Sequence, residues 1–224
     1  MMIIRRPYHH GDLRNALIAS ALRLIEECGP ESFSLREAAR EVGVSANAAY
    51  RHFQDKSALM TAAANDGFEV LSNRMILSME AASKTLRGEQ LSVSRFKAVM
   101  RAYIHFAVDH PELFRLMFGA CGKKCLHSPA RQDAAKSCEA PWTILGRSLD
   151  ALVDDGVLSA DRRAGAELKT WTVVHGFASL ALDGHLAVSA ETGQSAEVES
   201  VLDFAVMGIC GKVSGKIATK IGVR

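Results

Sequence analysis

Residues 34–53 read Ser-Leu-Arg-Glu-Ala-Ala-Arg-Glu-Val-Gly-Val-Ser-Ala-Asn-Ala-Ala-Tyr-Arg-His-Phe, and the fold is decided here. Ser34 and Glu37 have the spacing of a capping box, in which the Ser34 hydroxyl accepts from the Glu37 amide while the Glu37 carboxylate accepts from the Ser34 amide. A helix therefore begins at Leu35. Leu35, Ala38, Ala39 and Val42 make its inward stripe, and the small central residues let another helix come close. Gly43 supplies the positive φ of a sharp helix exit. Val44 plugs the turn and Ser45 caps a second helix, expected to run to about Phe53, with Ala49 and Phe53 inward and Ala46, Asn47, Tyr50 and Arg51 outward. Two helices joined by so short a turn form a helix-turn-helix, whose second helix enters the major groove of DNA N-terminal end first.

That geometry ranks the exposed side chains. Asn47, near the start of the second helix, is long enough to bond adenine in bidentate fashion, while Ser45 and Ala46 can bond or touch base edges and thymine methyls. Ser34, Arg36, Arg51 and Lys56 fall at helix starts and along the second helix, where phosphates would lie. Such contacts position a protein on DNA rather than specify a sequence. Charge alone does not announce the partner: the net charge is +2, and residues 1–55 hold seven arginines against seven acids. The placement of the cations carries the reading, not their number.

Val44-Ser45, Tyr50-Arg51-His52-Phe53 and Asp55-Lys56-Ser57-Ala58-Leu59 closely resemble the TetR family of transcriptional regulators, and Tyr8-His9-His10-Gly11-Asp12-Leu13-Arg14 is similar to the opening of one branch of that family. Asp109-His110-Pro111-Glu112-Leu113-Phe114 and Trp171 with His175-Gly176 resemble a C-terminal domain named for its Trp-His-Gly signature. The resemblance implies phosphate contacts at Tyr50, His52 and Lys56, and a homodimer paired through its last two helices. It also implies an apolar effector pocket in the C-terminal body. Ala48 and Ala49 depart from the family's usual hydroxyl or proline and larger apolar residue, so the operator sequence does not carry over.

Outward from the helix-turn-helix the chain reads as all-α, in about nine helices: a three-helix DNA-binding domain over 1–55 and a ligand-binding and dimerisation bundle over 56–224. The 224 residues, 48% of them hydrophobic, suffice for a substantial core. Helices are expected over about 11–28, from the Asp55 cap to about 81, and over 91–109. A short one starts at Pro111, and three more cover 131–155, 161–187 and 196–214. No apolar run approaches the roughly 20 residues of a membrane helix, and the apolar Met1–Ile4 precedes its arginines, the wrong order for a secretory signal. A cytoplasmic protein is expected, with no membrane partner.

In the bundle Leu168, Trp171, His175, Ala178 and Leu182 repeat at helical spacing, as do Val198, Leu202, Ala205, Ile209 and Val213. Trp171, Ala178, Leu182, Leu202, Ala205 and Ile209 are the expected dimer contacts; an internal helix pair is the alternative. Candidate pocket residues are the soft and aromatic side chains Met75, Phe96, Met100, Tyr103, Phe106, Met117, Phe118 and Trp142, with His175. Cys121, Cys125, His127 and Cys138 lack the tight paired spacing of structural zinc, and five cysteines, an odd number, read as reduced thiols. No catalytic constellation, metal or cofactor is expected. The sequence thus points to a homodimeric regulator that binds a palindromic operator in double-stranded DNA, more readily a repressor released by a small-molecule effector. An all-helical enzyme with an appended helix-turn-helix, or control by a protein partner or thiol oxidation, are the rival readings.

Overall fold

The computed structural model describes residues 13–82, 85–119, 139–186 and 196–211. Among these the regular structure is entirely helical, in ten helices. The residues before Leu13, those carrying Cys121, Cys125, His127 and Cys138, and the stretch containing Val213 lie outside them. No helix among the described residues is long and apolar enough to cross a membrane.

By packing the chain divides into two compact units. The first runs to Gly67 and takes in the segment from Glu112 to Asp133; the second comprises Phe68–Pro111 and the chain from Ala134 onward. The three-helix head expected over 1–55 thus forms only part of the first unit.

In that unit α1 (Leu13–Cys28), α2 (Leu35–Val42) and α3 (Ala46–Tyr50) pack on one another. Leu17, Ile18, Ala21, Ile25, Leu35, Ala38, Ala39, Ala49 and Phe53 form their common core. Ala38 and Ala39 are fully withdrawn, the close approach that small residues permit. Gly43 ends α2 at φ 81°, and the Val44 amide turns back to donate to the Ala39 carbonyl at 2.9 Å. Buried Ser20 of α1 donates to the Glu41 carboxylate of α2, which also accepts from Arg23 at 2.8 Å. The first part of α4 (Lys56–Ala81) buries Leu59, Met60, Ala63 and Ala64, while α6 (Pro111–Phe118) buries Leu113, Phe114, Leu116 and Met117. The helices of this unit meet closely at Gly67, where a Cβ would stand 2.7 Å from Met117 Sδ and 3.0 Å from Leu113 Cδ1.

The second unit is organised around α5 (Gly88–Asp109), packed against α7 (Pro141–Asp154), α9 (Ala166–Leu182) and α10 (Ala196–Cys210). Such a central helix must be apolar on several sides, and α5 buries Val93, Phe96, Val99, Met100, Tyr103, Ile104 and Phe106. Two of its cations are matched by α10, Lys97 lying 2.8 Å from Asp203 and 3.0 Å from Glu199, and Arg101 lying 2.6 Å from Glu199. These partners hold the Glu199 carboxyl below its ordinary value even though burial pushes it up. The four-residue α8 (Ala160–Arg163) contributes two clasps. Arg163 bonds Asp150 and Glu167, and Arg162 donates to the Ile209 and Gly208 carbonyls at 2.8 and 2.9 Å.

Several boundaries differ from the sequence expectation, among them the start of α7, which lies at Pro141 with Glu139 and Ala140 outside any helix rather than within one running from about 131. The second helix of the helix-turn-helix stops at Tyr50, and the His52 and Phe53 amides both close on the Ala49 carbonyl at 3.0 Å, tightening the exit. Helix α5 begins at Gly88, not near 91. The single helix expected over 161–187 is broken: Ala164 is extended and Gly165 takes φ 70°, giving α8 and α9 and hence ten helices where about nine were expected.

Candidate nucleic-acid interface

The capping bonds that the spacing of residues 34–53 predicts are all formed. The Ser34 hydroxyl accepts from the Glu37 amide at 3.1 Å and the Glu37 carboxylate accepts from the Ser34 amide at 3.1 Å. Ser45 accepts from the Ala48 amide at 3.3 Å, and Asp55 accepts from the Ala58 amide at 2.7 Å. With Ala49 and Phe53 buried, α3 turns Asn47, Tyr50 and Arg51 to solvent, and Ala46 is half-buried beside them. Exposed Ser34, Arg36, Ser45 and His52 belong to the same unit. Tyr50 is 45% exposed, a large solvent-facing aromatic on a helix whose other face is sealed.

Two cations of this unit are already held by aromatic rings. The Arg14 guanidinium lies 4.9 Å from the Phe53 ring centre. Lys56 Nζ lies 4.9 Å from the Phe33 ring centre and donates to the Glu31 carbonyl at 3.0 Å. Lys56 therefore ties the α1–α2 connection to the start of α4, a structural tie that its sequence position did not reveal. Ser20 and Glu41, which lock α1 to α2, were likewise invisible, because the two residues are far apart in the chain.

The expected pocket residues divide between the units. Met117 and Phe118 fall in the first: Met117 packs at Gly67, and Phe118 lies 4.7 Å from the Phe114 ring. Met75, Phe96, Met100, Tyr103, Phe106, Trp142 and His175 fall in the second, where all but Trp142 and His175 are buried. Tyr103 bonds His175 Nδ1 at 2.8 Å and accepts from Trp171 Nε1 at 3.1 Å. Trp171 in turn lies 5.2 Å from the His175 ring and 6.2 Å, edge-on, from Trp142, which is 49% exposed. Burial pushes the Tyr103 phenol far above its ordinary range, only partly offset by the Trp171 bond, and burial likewise holds His175 below the ordinary imidazole value.

Of the expected dimer residues, Ala178, Leu202, Ala205 and Ile209 are buried within the single chain, and Trp171 and Leu182 are half-buried. The outward faces of these helices carry other side chains. On α9 the outward line is Leu168, Thr172, Gly176 and Leu180; on α10 it is Ser200, Phe204 and Gly208. Leu168, Leu180 and Phe204 are 57%, 48% and 60% exposed. Among the described residues no group of three or more His, Cys, Asp or Glu could hold a metal ion. Burial pushes the Cys210 thiol up to about 11, against the pull of Arg162.

Comparison with known proteins agrees with this architecture. Residues 17–63 match the family of bacterial regulatory proteins named for TetR, and residues 96–202 match a tetracycline repressor-like C-terminal domain. The chain belongs to the TetR family. Together the two matches cover parts of both units, and the protein is a DNA-binding transcription regulator of the helix-turn-helix type. A protein of unknown function from Rhodococcus sp. RHA1 is 30% identical, with a TM-score of 0.70 over 92% of this chain and 100% of that one. A TetR family regulator from Marinobacter aquaeolei VT8 has 17% identity and a TM-score of 0.58 over 89% of this chain and 96% of that one. A TetR/AcrR family regulator from Thermobifida fusca YX-ER1 has 20% identity and a TM-score of 0.59 over 88% and 98%. The last two show likeness of fold alone. No curated protein sequence matches the chain.

Proposed function

We propose that this TetR-family protein is a cytoplasmic, homodimeric repressor that binds a palindromic operator and is released by a small molecule held in its C-terminal body. The observation that carries the DNA reading is the sealing of one face of α3 by Ala49 and Phe53, which leaves Asn47, Tyr50 and Arg51 outward from a helix capped at Ser45. In this reading Asn47 reads a base edge, with Ser45 and Ala46 beside it, and Ser34, Arg36, Tyr50, Arg51, His52 and Lys56 meet phosphates. Lys56→Ala is expected to weaken binding to all DNA and to lower the salt slope by about one.

The dimer reading is supported by two glycines. Gly176 and Gly208 stand on outward helix faces with nothing within 4 Å of where a Cβ would be. Glycine in an exposed helix interior costs about 1 kcal/mol relative to alanine, and among the described residues no close approach at either position calls for one. Close approach of a second copy's helices would. The contact then uses Leu168, Leu180 and Phe204 of the outward faces, and the buried Ala178, Leu202, Ala205 and Ile209 support it from beneath. Effector binding favours one of two dimer states only through a difference in affinity between them. The body residues Met75, Phe96, Met100, Tyr103, Phe106, Trp142 and His175 are the proposed surroundings of the effector.

Selection of bound sequences from a random DNA pool, with molecular mass measured by light scattering, tests the reading. A palindrome with half-sites about 34–36 Å apart, or a multiple of that, and a dimeric mass are expected. A monomer, or an enriched site with no two-fold symmetry, would overturn the dimeric repressor.

A further inference from the structure

Phe53 is the point where the exit of α3 meets the start of α1. Its amide closes on the Ala49 carbonyl at 3.0 Å, its side chain is buried, and the Arg14 guanidinium lies over the ring, 4.9 Å from its centre. Arg14 is the second residue of α1 and is exposed. The ring cannot shift without disturbing the core that α1, α2 and α3 share, so it holds the guanidinium at a set place relative to α3. The two residues before Phe53, Arg51 and His52, are exposed as well. A side chain from far away in the sequence thus brings its charge to the exit of α3.

What holds Arg14 sets it apart from other cations of its unit. Arg23 pairs with Glu41, Arg40 with Glu37 and Arg115 with Glu112, so each has a neutralising charge beside it. Lys56 also lies over a ring, but it gives a hydrogen bond to the Glu31 carbonyl. Among the described residues Arg14 meets no carboxylate, and the ring it does meet is neutral. A ring attracts a cation without supplying an oxygen acceptor, so the charge persists and the in-plane N–H fork of the guanidinium stays suited to an oxyanion.

The length of α3 says which oxyanion. Five residues rise about 7.5 Å at 1.5 Å each, and the major groove is about 8.5 Å deep. A helix of this length that enters N-terminal end first brings its exit back to the rim of the groove, at the level of the sugar–phosphate backbone. Whatever is fixed to that exit faces phosphates rather than base edges.

We infer that Arg14 is a phosphate-bonding positioning residue of the DNA complex, contributed by α1 from outside the helix-turn-helix, with the Phe53 ring as its seat. The inference rests on the reading that α3 enters the major groove, and adds a second element to the DNA surface. Because one buried ring supports both Arg14 and the exit of α3, the phosphate contact fixes how α3 sits in the groove and leaves the choice of base to α3.

The full-length protein is titrated, over a series of salt concentrations, with its selected operator and with a random duplex of equal length, each carrying a fluorescent label read by anisotropy. Arg14→Gln is expected to lose about tenfold on both duplexes, and the slope of log affinity against log salt should fall by about one for each protomer bound. Arg14→Lys keeps the charge over the ring and should recover the slope and most of the affinity. A structural role alone would lower the denaturant midpoint and leave the slope where it was. Ethylating the operator phosphates gives an independent reading: at least one phosphate whose ethylation weakens the unaltered protein should cease to matter to Arg14→Gln. An unchanged slope, or an ethylation pattern identical in the two proteins, would overturn the contact. Asn47→Ala separates this outcome from failure of the groove reading. If it still loses operator over random DNA while Arg14→Gln leaves the slope unchanged, α3 enters the groove and Arg14 is no contact. If Asn47→Ala changes binding to neither duplex, the groove reading falls and takes the Arg14 contact with it.

Discussion

The DNA-binding head and the C-terminal body solve the same problem, burying an apolar helix face, by opposite means. The head packs small side chains closely where α2 and α3 approach their neighbours: Ala38, Ala39 and Ala49 are withdrawn from solvent, while Leu17, Ile18 and Ile25 of α1 fill the rest of its core. The body packs large ones around a central helix, where Phe96, Met100 and Phe106 are fully buried, and it admits a polar chain at Tyr103, Trp171 and His175. A close-packed head presents a rigid surface to a rigid partner. A body built from bulky and polarisable groups has more ways to rearrange around a guest. Under the proposed function, rigidity is placed where sequence is read and adaptability where a small molecule would be read.

The largest test of this contrast acts on the body alone. Phe204→Glu, on the outward face of α10, places a charge in the proposed dimer contact, at a cost of several kcal/mol to association. Light scattering should then give the monomer mass, and operator affinity should fall by more than about a hundredfold while the helical signal persists. A variant that remained dimeric would separate the outward face from assembly. Phe53→Ala strikes the head instead. Truncating this buried ring should cost about 3–5 kcal/mol of stability, read from denaturant midpoints, and abolish operator binding with the dimer mass unchanged. Loss of the dimer alongside would mean that the two regions do not behave separately.

A finer test keeps the head folded and removes only its reading. Asn47→Ala is expected to lose about 1–3 kcal/mol on the operator and little on random DNA. Equal loss on both would reassign Asn47 to positioning. The smallest effect is electrostatic and belongs to the body. Burial holds His105 and His175 below the ordinary imidazole value of 6.5, so the folded state binds fewer protons than the unfolded state as pH falls through that region. Stability is complete above it and declines below. Denaturant midpoints should fall between about pH 8 and about pH 5.5, and less steeply in a His175→Leu variant. A midpoint independent of pH would remove both rings from the buried set.

The head was legible in the sequence because its determinants are local. Ser34 and Glu37, Gly43, Ser45 and Asp55 each act within four residues, and each makes the bond its spacing predicts. Helix ends in the body were harder to read: the break at Ala164–Gly165 sits inside an otherwise periodic stretch whose pattern continues across it. Hardest of all were contacts between distant residues. The spacing of Trp171 and His175 placed them on one helix face, but nothing local indicated that Tyr103, 72 residues before His175, would bond both. Nor did the apolar periodicity of α9 and α10 distinguish the inner line through Ala178 and Leu202 from the outer one through Leu180 and Phe204. Two-sided apolar helices carry both patterns at once, and only packing separates them.

Helix ends ordinarily fray, because their last carbonyls have no partner and their amides open without disturbing the remainder of the molecule. At the end of α10 two of these carbonyls, those of Gly208 and Ile209, are taken by the Arg162 guanidinium of α8. The amides of the final turn then have no cheap local route to solvent and must exchange with the opening of a larger cooperative piece. A four-residue helix thereby sets the timescale on which the last described segment of the chain is exposed.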